Sequence, residues 1–167
     1  DFIRTTEKRH TTIVQSILSQ VYENGDIYQD EYEGWYSISE ERFITEKEVE
    51  SGLFGEAKKI KEKNYFFKMS KYQSELIKKI ESDELSIQPK SRKNEVLGFL
   101  KQELSDLCIS RPKSRLEWGI EIPFDKDYVT YVWFDALINY ISAPKYSEDN
   151  KNFELHWPAD VHLIGKD

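Results

Sequence analysis

Cysteine is almost missing from this chain: its 167 residues carry one, Cys108. A single thiol excludes an internal disulfide and any metal site built from several cysteines, and it is neutral on compartment. The three histidines, His10, His156 and His162, stand apart with no partner at ligand spacing, so each is read as a packing or surface histidine. With so few imidazoles, no nucleophile triad can be assigned. The seven glycines are dispersed and form no glycine-rich phosphate loop. No apolar run is long enough to cross a membrane, and the N-terminus shows no charged-then-apolar leader. Nor is there an internal repeat or a low-complexity tract. These absences describe a soluble, cytoplasmic protein with no membrane partner, of one domain or one and a half.

What is abundant is charge. Asp and Glu number 31 against 24 Lys and Arg, a net charge of −7. An acidic chain is a poor match for bulk nucleic-acid binding, which phosphate neutralisation drives. Small basic clusters occur at Lys58-Lys59-Ile60-Lys61, Lys90-Ser91-Arg92-Lys93 and Arg111-Pro112-Lys113-Ser114-Arg115, and each is read as solvated surface.

Periodicity supplies the elements. Residues 1–6 are short and half apolar, ending in two threonines able to cap a helix beginning near Glu7. From Glu7 the residues Ile13, Val14, Ile17, Leu18, Val21 and Tyr22 fall at amphipathic helix spacing, and Asn24-Gly25 stops them. Strand, helix and stop make half of a βαβ unit. From Ile27 the chain turns aromatic and β-rich, with strands expected at 27–28, 32–38, 42–45 and 64–69. Gly34 interrupts this run, and 56–63 reads as a polar, lysine-rich connection. A helix over 70–81 places Tyr72, Leu76 and Ile80 on one face, and Ile87-Gln88-Pro89 ends it. Ser91 is placed to cap a second helix carrying Val96, Leu97, Leu100 and Leu104. Strands are expected again at 109–111, 118–122 and 128–132. A polar stretch, 146–152, leads to a last short strand, 161–164, ending in Gly165.

The most informative run is Tyr131-Val132-Trp133-Phe134-Asp135-Ala136-Leu137-Ile138-Asn139-Tyr140. Trp133, Ala136, Leu137 and Tyr140 sit at i, i+3, i+4 and i+7 and so share a helix face. Two aromatics would flank a small gap where a strand meets a helix, a usual place for an α/β protein to hold a small ligand. On spacing alone, a plain core stripe explains the same residues. Gly165-Lys166-Asp167 follows a strand's carboxyl end, where a glycine admits a ligand's close approach and a carboxylate can accept from ribose hydroxyls.

The wording of these runs resembles methionyl-tRNA synthetase, a class I aminoacyl-tRNA synthetase. The resemblance extends in order through Asp1-Phe2-Ile3-Arg4-Thr5-Thr6, Tyr32-Glu33-Gly34-Trp35-Tyr36, Asn64-Tyr65-Phe66-Phe67, Arg92-Lys93-Asn94-Glu95-Val96, Ile109-Ser110-Arg111 and His162-Leu163-Ile164-Gly165-Lys166-Asp167. It implies an α/β fold: a partial class I Rossmann-like parallel sheet with an inserted small mixed β/α connective-peptide subdomain. Residues 1–26 and 109–167 would be catalytic-domain segments and 27–108 the insertion. It also implies that Trp133, Ala136, Leu137 and Tyr140 line the methionine side chain, a thioether that packs well against aromatic edges. Arg111 would help position the amino-acid end, and Gly165 and Asp167 would contact the ATP ribose.

Three departures bear on function. Lys68-Met69-Ser70-Lys71 matches the first letters of the class I KMSKS signature, but it follows the strand 64–67 of the insertion. It is read as a strand-to-helix junction with no catalytic role. Ser37 and Glu40 stand where many relatives carry zinc-binding cysteines, which implies a zinc-free insertion. The HIGH signature is missing. The whole enzyme is therefore implied to activate L-methionine with ATP and Mg2+ and to charge tRNA(Met), while this stretch alone is expected to be inactive, with no catalytic residue of its own. The alternative is a stand-alone tRNA- or protein-binding module derived from a class I synthetase.

Overall fold

The chain forms two compact units, one of Asp1–Gly25 with Ile109–Asp167 and one of Asp26–Cys108. The computed structural model describes residues 2–37, 42–44, 46–53, 55–102, 104–130, 133–146 and 149–165, without the side chains of residues 32, 42, 43, 47 and 48.

In the unit Asp26–Cys108, the β-rich run forms one long strand, β1 (Ile27–Ser37), where two shorter ones were expected. It pairs antiparallel with β2 (Arg42–Ile44) and, along its whole length, with β3 (Ala57–Phe67). The end of β3 pairs with β4 (Leu107–Cys108), giving the order β2-β1-β3-β4. Gly34 does not interrupt the ladder; it lies opposite Ile60 within it. The lysine-rich stretch expected as a connection is the first half of β3. Lysine has low strand propensity, but Lys59 and Lys61 meet Glu33 and Glu31 at 3.2 and 2.9 Å, diagonally across the ladder. Such opposite-charge pairs favour the register.

A short helix, α2 (Glu46–Ser51), links β2 to β3. A single 3-10 turn, Met69–Tyr72, then leads into α3 (Gln73–Glu81), and α4 (Lys90–Leu100) follows. Ile80, Leu100 and Leu104 are buried together, and Met69, Leu76, Ile77, Ile87, Val96 and Leu97 pack against them. Ser91 does not cap α4. Pro89 is the cap residue, and its carbonyl accepts from the N–H groups of Arg92 and Lys93.

In the other unit the amphipathic run forms α1 (Lys8–Glu23), with Ile13, Val14 and Leu18 buried. Gly25 takes φ 74°, a left-handed conformation that costs glycine little. At the start, neither Thr5 nor Thr6 caps; Glu7 is the cap residue, and its carboxylate accepts from the Arg4 N–H at 3.2 Å. The three strands β5 (Ser110–Pro112), β6 (Ile120–Ile122) and β7 (Asp125–Thr130) form an antiparallel sheet in the order β5-β7-β6. Gly119, at φ 130°, leads into β6; a Cβ there would stand 3.0 Å from the Thr130 carbonyl oxygen and the Val129 side chain. Gln15 of α1 donates to the Glu121 carbonyl at 3.0 Å, and Tyr22 stacks on Phe124 with ring centroids 3.9 Å apart. These contacts lay α1 against β6.

Mixed α/β character is thus observed, but every strand pair among the described residues is antiparallel. Strands were expected at 1–6 and 161–164. Residues 2–6 and 161–164 are not strands, because no described neighbour offers them a ladder; Phe2, Val161, Leu163 and Ile164 lie exposed. The expected pocket helix is two short ones, α5 (Trp133–Leu137) and α6 (Asn139–Ser142), broken at Ile138. A further helix, α7 (Asn150–His156), begins inside the stretch read as polar, with the Asp149 side chain accepting from the Asn152 N–H at 3.0 Å.

Candidate functional site

Strand β7 brings the chain to the segment expected to bind a ligand. Its register sets Thr130 opposite Ser110 and Val129 opposite Arg111. The Thr130 hydroxyl donates to the Ile109 carbonyl at 2.8 Å, which ties the end of β7 to the start of β5. Tyr131 and Val132 lie outside the described residues, and α5 begins at Trp133.

Within this chain the stripe Trp133, Ala136, Leu137 and Tyr140 is largely exposed. Trp133 is 63% exposed, Leu137 54% and Tyr140 36%, while Asp135 and Ile138 face inward at 7% and 8%. Ala136 is half-buried. The segment therefore rests on one face and offers aromatic and aliphatic surface on the other. Contiguous exposed apolar surface is a mark of interaction or ligand-binding sites.

Two residues outside the expected pocket join this face. His162 meets the Tyr140 ring edge-on with centroids 5.0 Å apart, and Trp157 meets His162 at 5.7 Å. Phe153 continues the series, 6.2 Å from Trp157 and 5.1 Å from Tyr146. His162 was read as a lone histidine, and nothing in its sequence neighbourhood signals Tyr140. Its place depends on the chain returning after α7.

Arg111 is 6% exposed, and one of its guanidinium nitrogens donates to the Ser110 carbonyl at 2.8 Å. It is not the surface arginine that a cation at a strand end ordinarily is. Gly165 lies at the end of the exposed run 161–165, and Asp167 lies outside the described residues.

Beneath the segment lie two titratable groups. Burial pushes the Asp135 carboxyl above its usual range, against the pull of the Ala136 N–H. Burial likewise pushes the His10 imidazole below its usual range, only partly offset by the Asp135 backbone and Glu7. His10 Nδ1 is 2.8 Å from the Ser142 hydroxyl. Both residues are fully buried, so this pair cannot serve as a nucleophile and base for a ligand arriving from solvent.

The segment Lys68-Met69-Ser70-Lys71 is engaged by two carboxylates. Asp26 accepts from Lys71 Nζ at 2.5 Å and from the Tyr72 hydroxyl at 2.6 Å. Asp106 accepts from the Ser70 backbone N–H at 3.1 Å, its hydroxyl at 2.6 Å and the Tyr28 hydroxyl at 3.0 Å. The lysine that would neutralise a phosphate in the true signature is already paired within the protein. Of the expected zinc-ligand positions, Ser37 is buried and Glu40 lies outside the described residues. Among the described residues no group of three or more His, Cys, Asp or Glu could hold a metal ion, and no helix is long and apolar enough to cross a membrane.

Known proteins are similar to this chain along nearly its whole length. The family model for class I tRNA synthetases (M) matches residues 1–52 and 50–167. A methionine–tRNA ligase of Clostridium acetobutylicum is 52% identical over 172 residues, covering 99% of this chain and 26% of that protein. The corresponding ligase of Bacillus subtilis is 45% identical over 184 residues, with 100% of this chain and 27% of that protein covered. The present chain spans about a quarter of the length of these relatives. Among solved structures, Mycobacterium tuberculosis methionyl-tRNA synthetase bound by methionyl-adenylate superposes with a TM-score of 0.84 at 36% identity. That match covers 99% of this chain and 34% of the other. Its free form gives 0.82 at 36% identity, with 99% and 35% covered.

Proposed function

Because the chain belongs to the class I tRNA synthetases of the methionine type, we propose that it is the part of a methionyl-tRNA synthetase that binds the methionine side chain. The whole protein, on this reading, activates L-methionine with ATP and Mg2+ to methionyl-adenylate and passes the methionyl group to the terminal ribose of tRNA(Met). The cytoplasm, where translation takes place, is its expected setting.

The observation that carries the reading is the exposed face of Trp133, Ala136, Leu137 and Tyr140 over the buried Asp135 and Ile138. A thioether packs well against aromatic edges, and such a wall selects by shape and by excluding water. Arg111, opposite Val129 in the ladder that ends near Trp133, supplies the cation that orients the amino-acid end. Residues 27–108 take the part of the connective-peptide insertion, and residues 1–26 and 109–167 take that of catalytic-domain segments.

Of the nucleotide contacts, only those to the ribose are assigned to this chain. Gly165 and Asp167 are proposed to meet the ATP ribose. The described residues build neither a phosphate cradle nor a divalent-cation site: Lys71 is held by Asp26, and no acidic cluster is present among them. Adenylation depends on positioning and on stabilising phosphate charge. This stretch alone is therefore proposed to be inactive and to hold no zinc.

The test is amino-acid-dependent exchange of labelled pyrophosphate into ATP by the full-length protein, offered methionine, valine, isoleucine, leucine or cysteine in turn. Exchange with methionine above the others is expected. Exchange that prefers another amino acid overturns the reading, and tRNA binding without exchange indicates a stand-alone binding module.

A further inference from the structure

The proposed function leaves one buried group unused. Among the described residues, His10 Nε2 is the buried side-chain polar atom that has no hydrogen-bond partner. Such an atom costs stability and calls for a reason. The ring sits on α1 and is completely enclosed. Its other nitrogen, Nδ1, is 2.8 Å from the hydroxyl of Ser142, which belongs to α6. The Asp135 backbone, in α5, is near enough to favour a protonated ring.

The helices α5 and α6 are the two halves of the segment that carries the exposed stripe, and they meet at a break at Ile138. Trp133 stands on one half and Tyr140 on the other. An imidazole reaching both halves from behind therefore bears on the spacing between these rings, a spacing that short helices joined by a turn do not fix by themselves. A hydrolytic Ser–His pair is excluded by enclosure of both groups. A simple packing role does not account for a polar ring where an apolar one would leave no orphan atom.

We propose that His10 is a positioning residue for methionine binding, holding α6 through the Ser142 hydroxyl and standing behind Asp135 of α5, so that it sets the angle at Ile138 and the gap between Trp133 and Tyr140. The inference rests on the methionine reading above and adds to it a residue that touches no substrate. It accounts for why the inward side of the stripe is polar at His10 and Ser142.

The experiment is pyrophosphate exchange by the full-length protein with methionine and ATP titrated separately, in the wild type and in His10→Ala, His10→Asn, Ser142→Ala and the His10→Ala/Ser142→Ala double variant. An asparagine amide can stand where Nδ1 stands, and alanine cannot. His10→Ala is expected to raise the KM for methionine about tenfold, the upper end of what one buried hydrogen bond contributes, with the KM for ATP unchanged. His10→Asn should recover most of the loss. Ser142→Ala should move the methionine KM the same way, and the double variant should be no worse than His10→Ala, as expected when two residues act through one contact. If His10→Ala does not fold, Ser142→Ala and His10→Asn carry the test. An active wild type whose variants keep its methionine KM, or lose both KM values together with thermal stability, overturns this inference alone. A wild type without methionine-dependent exchange overturns it together with the reading beneath it.

Discussion

The two units treat their inward charged groups in opposite ways. In Asp26–Cys108 the Asp26 carboxylate accepts from two donors and that of Asp106 from three. The bonds from Lys71 and Tyr72 hold Asp26 below the usual carboxylate range. For Asp106, burial pushes upward, but the bonds from Ser70 and Tyr28 more than offset it and the net shift is also down. In the unit of Asp1–Gly25 and Ile109–Asp167, Asp135 and His10 are both pushed toward their neutral forms, each chiefly by burial. Satisfied carboxylates that close one strand-to-helix junction are what a structural clamp needs. Titratable groups driven toward neutrality beneath an exposed apolar face are more common where a protein binds or reacts. The contrast accords with the proposed division, in which the lysine-containing junction is architecture and the Trp133–Tyr140 segment is the proposed ligand-binding part.

The largest expected effect tests whether the two units hold separately. Leu18→Ala empties a fully buried position on α1 and should cost about 2–5 kcal/mol. Hydrogen exchange should then show lost protection in α1 and the β5-β7-β6 sheet while β1 and β3 keep theirs. Equal loss in both would merge what the comparison separates.

Next come the carboxylates, whose signs differ. Asp26 has a lowered folded pKa, so its contribution is present above the unfolded carboxylate value, about 4, and is lost as pH falls through the folded value. Asp26→Asn should therefore lower the melting temperature at neutral pH, and wild type and variant should converge in acid. Asp135 has a raised folded pKa. The folded state holds its proton more tightly than the unfolded one, so the ionised group is a cost at neutral pH that fades as pH falls. Asp135→Asn should raise the melting temperature at neutral pH, with the gain vanishing in acid. A destabilised Asp135→Asn protein at neutral pH would contradict the contrast between the units.

The smallest effect is a predicted lack of one. Lys71→Gln in the full-length protein should leave the rate of methionine-dependent exchange unchanged at temperatures where the variant stays folded. A rate loss of a hundredfold or more in folded protein would make this lysine a phosphate ligand.

The reach of the sequence varied with how local each determinant is. Helix α1 and its stop at Gly25 come from apolar spacing and one permissive residue, and both were legible. Helix α7 was not, because it buries no residue and so carries no apolar period; its cap at Asp149 is local but is shared by many turns. The first half of β3 was hidden by its lysines, whose partners Glu31 and Glu33 lie on another strand. Residues 1–6 and 161–164 carry strand-like apolar content, yet a strand also needs a neighbour, and composition does not supply one. For the site, spacing placed Trp133, Ala136, Leu137 and Tyr140 on one face but could not say that the face is open. The partners that occupy Lys71 and Ser70 lie 45 and 36 positions away, and the approach of His162 to Tyr140 is non-local as well.

The most direct test of methionine binding at this segment is the KM for methionine in pyrophosphate exchange by the full-length Trp133→Ala protein. A rise of about tenfold or more is predicted, since the largest aromatic surface of the stripe is removed, with the KM for ATP little changed. An unaltered methionine KM in a folded, active variant would contradict that role, and would place the methionine side chain away from this segment.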